Sequence, residues 1–193
     1  KSFTDSASHA TYYPGATQMS IKTIFENGTG KILGVQIVGF EGCDKRADVF
    51  ATAIRFNATA YDLCRLELCY APPFSSAKDP VNMAGFAIEN LLTGKVKNFH
   101  WHDVLKLQGE KDIILLDTRT EGEYNNGHIE GFINIPLDDL RGRLNELDKA
   151  KKVYVTCHVG LRGYIACRIL KQNGFDCYNL SGGYKLYSSI FNI

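Results

Sequence analysis

No run of about 18 apolar residues occurs in the chain, and its first residues, Lys1 to His9, are polar. Neither a membrane span nor a secretory signal is expected, and a cytoplasmic protein is the reading. Charge of one sign is also lacking. Lys plus Arg (22) against Asp plus Glu (21) leave +1, too little for a nucleic-acid backbone to be an obvious partner. The six cysteines, Cys43, Cys64, Cys69, Cys157, Cys167 and Cys177, are too few and too irregularly spaced for a disulfide framework or paired Cys-x-x-Cys metal knuckles. Reduced thiols and no metal site are expected. No G-x-G-x-x-G follows a strand-like run, so the dinucleotide fingerprint is missing. An initiator methionine is missing too: the chain starts at Lys1, and a piece of a longer protein is expected.

What is present is ordinary for folded protein: 193 residues, 45% hydrophobic and 22% charged, enough for two domains of about 100 residues each. In the first half, Ser20 to Phe25 and Lys31 to Val38 have strand-like spacing, and Asn27-Gly28-Thr29-Gly30 between them has hairpin-turn chemistry. A helix is expected over Lys45 to Asn57 with Asp44 as its N-cap, and another from about Pro80 to Leu92. The prolines of Leu66 to Pro80 forbid a regular element there. This half reads as α+β with an antiparallel sheet. The texture changes at Thr93-Gly94-Lys95, which divides the chain into residues 1–94 and 95–193.

The second half alternates short apolar runs with helical stretches. Strands are expected at Asn98 to Trp101, Ile113 to Asp117, Val153 to Thr156 and Asp176 to Leu180. Helices are expected at Asp103 to Leu107, Leu137 to Leu147 and Gly163 to Asn173. The pattern is α/β with a parallel sheet, whose ligands collect at the carboxyl ends of strands. At one such end stands Cys157-His158-Val159-Gly160-Leu161-Arg162-Gly163. A cysteine leaving a buried strand and entering a helix N-terminus lies under free backbone N–H groups, and Arg162 adds a cation, so a thiolate is expected. The same loop, His158, Val159, Gly160, Leu161 and Gly163 included, would cradle an anion brought to that sulfur. His100-Trp101-His102 offers only two histidines on one face, too few for a metal.

Over nearly its whole length this half resembles a single-domain rhodanese. The residues that carry the resemblance are Leu115 to Arg119, Glu123-Tyr124, Gly127 to Pro136, the Cys157 to Arg162 loop and Leu180 to Tyr184. The resemblance implies that Cys157 accepts sulfane sulfur as a persulfide, that the loop N–H groups and Arg162 stabilise the anionic donor, and that Asp117, Arg119 and His128 hold the framework. A cysteine phosphatase is the rival for such a loop, but its phosphate cradle has five residues between Cys and Arg and this loop has four. His158-Val159 departs from many rhodaneses, which leaves the donor open.

The first half resembles the dimerisation domain of FAD-dependent pyridine-nucleotide-disulfide oxidoreductases through His9 to Gly15, the hairpin and Ala71 to Pro80. With the trailing rhodanese it is similar to the coenzyme A-disulfide reductase and NADH-dependent persulfide reductase branch. The resemblance implies a homodimer formed through residues 1–94, with Tyr12 or Tyr13 and Tyr70 reaching the partner's active site. It also implies FAD and NAD(P)H domains upstream in the same chain, and a low-molecular-weight thiol or persulfide, coenzyme A among them, as substrate. No cofactor is expected on this segment alone. A different class remains beside it: an assembly or regulatory module in which Cys157 senses oxidants.

Overall fold

The computed structural model describes residues 1–193, which divide into two units, Lys1–Thr93 and Gly94–Ile193. In the first, three strands, β1 (Ser2–Ala7), β2 (Gln18–Phe25) and β3 (Ile32–Gly39), form an antiparallel sheet in the order β1-β2-β3. Alternation sets the inner face of β2, where Met19, Ile21 and Thr23 are buried and Ile24 is exposed. Ile21 stands opposite Ile37, which fixes the register of the expected hairpin.

Three helices cover that face: α1 (Cys43–Arg55), α2 (Ala60–Arg65) and α3 (Pro80–Leu92). Their core side chains, Phe50, Leu63, Val81, Ala84 and Ile88, pack with Met19 and Ile21. Complete burial of Phe50 or Leu63 contributes about 1.5–3 kcal/mol each. α3 occupies the expected span, with Asp79 as N-cap accepting from the Val81 N–H at 3.0 Å and Pro80 in the first turn. Asp44 is not the cap of α1: the helix begins at Cys43 after Gly42, and Asp44 lies inside its first turn. Two elements lie outside the expected set: β1, and α2, which is started by Thr59 and Asp62 capping each other.

The second unit is built on five parallel strands in the order β4-β8-β7-β5-β6: β4 (Asn98–Phe99), β5 (Ile113–Asp117), β6 (Ile133–Asn134), β7 (Lys152–Thr156) and β8 (Cys177–Leu180). Its helices are α4 (Trp101–Leu107), α5 (Glu121–Asn125), α6 (Leu161–Gln172) and α7 (Gly183–Phe191). The two-domain fold class therefore stands as expected, antiparallel sheet first and parallel sheet second. One expected helix does not form. Leu137 to Leu147 is a series of turns ending in a 3-10 turn at Leu144–Glu146, because Leu140, Gly142 and Arg143 each donate only three residues back. Gly142 interrupts the pattern, and of its leucines only Leu140 and Leu147 are buried, too few for a helical stripe. The first expected strand is shorter than read, since Trp101 opens α4 with the Asp103 carboxylate accepting the His100 N–H at 2.9 Å. No helix is long and apolar enough to cross a membrane.

Candidate active site

β7 ends at Thr156, and the next residue, Cys157, carries a side chain only 1% exposed. Gly160, which precedes α6, donates its N–H to the Cys157 sulfur at 3.1 Å, and the amides of Val159 and Gly163 also act on it. The loop carbonyls turn the other way. The first turn of α7 takes them: Tyr184 N–H donates to Cys157 O at 2.8 Å and Lys185 N–H to His158 O at 2.9 Å. Two helix N-termini therefore act on one loop, α6 on the sulfur and α7 on the carbonyls. This arrangement needs glycine at 183, where φ is +60° and a Cβ would lie 2.6 Å from Cys157 O and 2.5 Å from His158 O.

The electrostatics differ from the expectation in two respects. Burial pushes the Cys157 thiol up, and the Gly163, Gly160 and Val159 amides with Arg162 only partly offset that. Burial thus opposes the thiolate expected from the helix terminus, within a cradle whose amides are suited to an anion. Arg162 is moreover paired: its Nη1 and Nη2 each donate to the Glu123 carboxylate at 2.6 Å. Glu123 sits in the first turn of α5 and also accepts from Thr120 N and Oγ1 at 3.0 Å. The Arg162 guanidinium draws the Glu123 carboxyl down to about 2 against its burial, with the Thr120 bonds adding to the effect. The cation thus braces the loop base against α5 as well as favouring charge on the sulfur. Of the other loop residues, His158 and Leu161 are exposed, Val159 is half-buried and Gly163 is buried.

Asp117 and Arg119 form a buried pair, with Arg119 Nη2 2.7 Å from Asp117 Oδ2 and 2.8 Å from Gly127 O. The guanidinium also lies 4.0 Å from the Tyr184 ring centroid, so the pair supports the turn of α7 that holds the loop. His128 stacks on Tyr124 at 3.9 Å and has Nδ1 3.1 Å from Tyr124 O. Sequence reading missed Glu123 as the partner of Arg162, although Thr120-x-x-Glu123 is a capping-box spacing that places it. It also missed the first turn of α7, for which Gly182-Gly183 is the signal.

In the first unit the hydroxyls of Tyr12 and Tyr70 meet at 2.9 Å, although 58 residues separate them in the chain. Both are open to solvent, at 75% and 48% exposure. Tyr13 instead turns its ring edge-on to His9 at 5.9 Å. Beneath them Arg46 is buried, donating through Nη2 to Asp79 Oδ2 at 2.9 Å and to Ser8 O at 2.8 Å. Ser75 Oγ adds a 2.7 Å bond to Asp79, and Ala10 N–H donates to Ser75 O at 3.0 Å. One buried guanidinium thereby ties the segment carrying Tyr12 to the loop that follows Tyr70. The remaining cysteines are free thiols, Cys64 pushed up to about 11 by burial and the Glu89 carboxylate. His100 and His102 stack at 5.6 Å, and no group of three His, Cys, Asp or Glu side chains is placed to hold a metal.

Residues 1–81 match the pyridine nucleotide-disulphide oxidoreductase dimerisation domain, and residues 100–190 match the rhodanese-like domain. Among solved structures, reduced Bacillus anthracis CoADR-RHD is 48% identical with a TM-score of 0.95, over 99% of this chain and 34% of that one. A NAD-dependent persulfide reductase from A. fulgidus is 36% identical with a TM-score of 0.86, over 96% of this chain and 33% of that one. A coenzyme A disulfide reductase of Staphylococcus epidermidis is 42% identical over 78 residues, 40% of this chain and 18% of that protein. The chain thus spans 34% or less of the length of each of these relatives. With both halves matched in this order, the chain is a rhodanese-like domain downstream of a pyridine nucleotide-disulphide oxidoreductase dimerisation domain, the arrangement of CoADR-RHD-type proteins.

Proposed function

We propose that this chain is the sulfur-handling and dimerising part of a coenzyme A-disulfide, persulfide or polysulfide reductase, in which Cys157 carries sulfane sulfur as a persulfide. The observation that carries the reading is the Gly160 N–H on the Cys157 sulfur at 3.1 Å, inside a loop whose amides face inward. In the transfer step Cys157 sulfur attacks the outer sulfur of a donor persulfide, R–S–SH. A Cys157–sulfur bond forms and the donor S–S bond breaks. The leaving R–S⁻ takes the electron pair and ends with the proton that Cys157 gives up. No net oxidation occurs. The amides stabilise the anionic sulfur before and after transfer.

Residues 1–94 are assigned to the dimerisation domain and 95–193 to the rhodanese-like domain. In this reading residues 1–94 form a homodimer in which Tyr12 and Tyr70 act as a pair toward the partner's site, with Tyr13 aside. FAD and NAD(P)H, implied by the resemblance to such reductases, are assigned to neither unit, since neither has a G-x-G-x-x-G turn after a strand. In the whole protein they belong to other segments. The alternative, in which Cys157 senses oxidants as a sulfenic acid or mixed disulfide, is separated from the carrier role by the sulfur-uptake test.

The test is intact-protein mass after incubation with thiosulfate, polysulfide or coenzyme A persulfide, with Cys157→Ser beside it. Gain of one sulfur atom in the parent alone is expected. No gain with any donor, from a protein whose Cys157 still reacts with iodoacetamide, would sink the carrier role and return the sensor reading.

A further inference from the structure

Asn179 lies on β8 and is 6% exposed, yet nothing in the transfer step above uses it. Its Nδ2 donates to Gly160 O at 3.0 Å. That carbonyl also accepts the Tyr164 N–H at 2.9 Å, the first hydrogen bond of α6. The N–H of the same glycine is the one that donates to the Cys157 sulfur. Asn179 therefore grips, from inside the sheet, the residue that supplies the sulfur's hydrogen bond.

The other end of the carboxamide is equally informative. Oδ1 is buried and has no hydrogen-bond donor. It faces Gly163, where a Cβ would lie 2.2 Å from Oδ1 and 3.7 Å from the Cys157 sulfur. Carboxamide oxygen and sulfur thus flank one Cα. Reversing the carboxamide would set its oxygen against Gly160 O, so the donor end is defined by its partner.

We propose that Asn179 is a positioning residue for Cys157. Its Nδ2 holds Gly160 with the N–H on the sulfur, and its neutral oxygen fills a place where a carboxylate would oppose charge on the sulfur. The proposal rests on Cys157 being the reactive group, but its test reads the thiol and needs no sulfur donor.

The experiment is the pH dependence of Cys157 alkylation by iodoacetamide in the whole chain, followed by peptide mass so that the other cysteines are counted separately. Asn179→Ala is expected to raise the Cys157 titration by about one pH unit, with alkylation at neutral pH about tenfold slower. Asn179→Asp is expected to raise it further. An unchanged titration in a folded Ala variant overturns the proposal, because a merely structural asparagine would lower the melting temperature and leave the thiol alone. Should the variants not fold, the parent protein decides by NMR. The Asn179 side-chain amide should be protected from solvent exchange and shift when Cys157 titrates, and an amide exchanging freely overturns the proposal. Absence of sulfur uptake from every donor would remove the transfer reading and leave this titration standing.

Discussion

Each unit buries one arginine on one aspartate, and the two pairs serve opposite kinds of surface. Arg46 and Asp79, 33 residues apart, tie down segments that put the Tyr12 and Tyr70 hydroxyls out in solvent. Arg119 and Asp117, two residues apart, support a turn of α7 that closes over a cysteine 1% exposed. In the second unit, the groups that act on the sulfur, the Gly160, Val159 and Gly163 amides and Arg162, come from the loop and α6. The first ends in two exposed phenols whose hydroxyls meet each other. The proposed roles follow that difference, the exposed phenols acting toward a partner's site and the buried thiol taking up sulfur within its own loop.

The strongest way to break the comparison is to remove Asp79. Asp79→Ala leaves Arg46 buried without a counter-charge and is expected to destabilise the first unit by about 3–5 kcal/mol, read by urea denaturation. Persulfide loading of Cys157 should survive in the same protein under native conditions. Burial works to raise Asp79, but the Arg46, Val81 and Ser75 hydrogen bonds outweigh it and hold the carboxyl below its ordinary value. A depressed carboxyl stabilises the fold above its unfolded pKa of about 4 and loses that contribution as pH falls through the folded value. Acid should therefore weaken the parent more steeply than the variant. Equal acid slopes would show that the pair is not what holds this unit.

Next in size is the α7 turn. Gly183→Ala puts a methyl against two loop carbonyls at a φ of +60°. It is expected to cost about 1–3 kcal/mol and to slow Cys157 persulfide formation at least tenfold, measured by intact mass against time. Normal loading in this variant would separate the loop from α7.

The same contrast explains what could be read in advance. Periodicity in Pro80–Leu92 and the continuous apolar runs at Ile113–Asp117 and Val153–Thr156 identify their elements, because burial on a stripe or on both faces is written locally. Cys157 and its loop were legible for that reason: strand, cysteine, glycine and helix are consecutive. Contacts across the chain were not. Arg46 with Asp79, Tyr12 with Tyr70, and Asn179 with Gly160 each join residues that no window of 18 contains. The burial that opposes charge on Cys157 was not legible either, because helix-terminus chemistry is local and desolvation is not. Arg162 was placed correctly in sequence but read without Glu123, 39 residues earlier.

That pair gives a smaller test. Glu123→Gln should cost about 0.5–1 kcal/mol, since both side chains are roughly one-third exposed and solvent screens them. With Glu123 lowered from its ordinary 4.5 to about 2, the contribution is full above pH 4.5 and lost as pH falls toward 2. The difference in melting temperature between parent and variant should shrink across that window. A difference constant with pH would mean that the ion pair is not its source.

The smallest effect on stability is expected at Tyr70, and it bears most directly on the contrast between displayed and enclosed groups. Tyr70→Phe removes a hydroxyl whose intramolecular partner is the still more exposed Tyr12. The melting temperature should not move, and Cys157 should load with sulfur as in the parent. On the proposed reading any effect appears only in the whole protein, as a fall in the rate of the proposed coenzyme A-disulfide or persulfide reduction, with Tyr12→Phe behaving alike and Tyr13→Phe close to the parent. A Tyr70→Phe reductase with full activity would reduce the Tyr12–Tyr70 pair to surface packing, and a Tyr13→Phe enzyme impaired in its place would show that the 2.9 Å contact marks the wrong tyrosine.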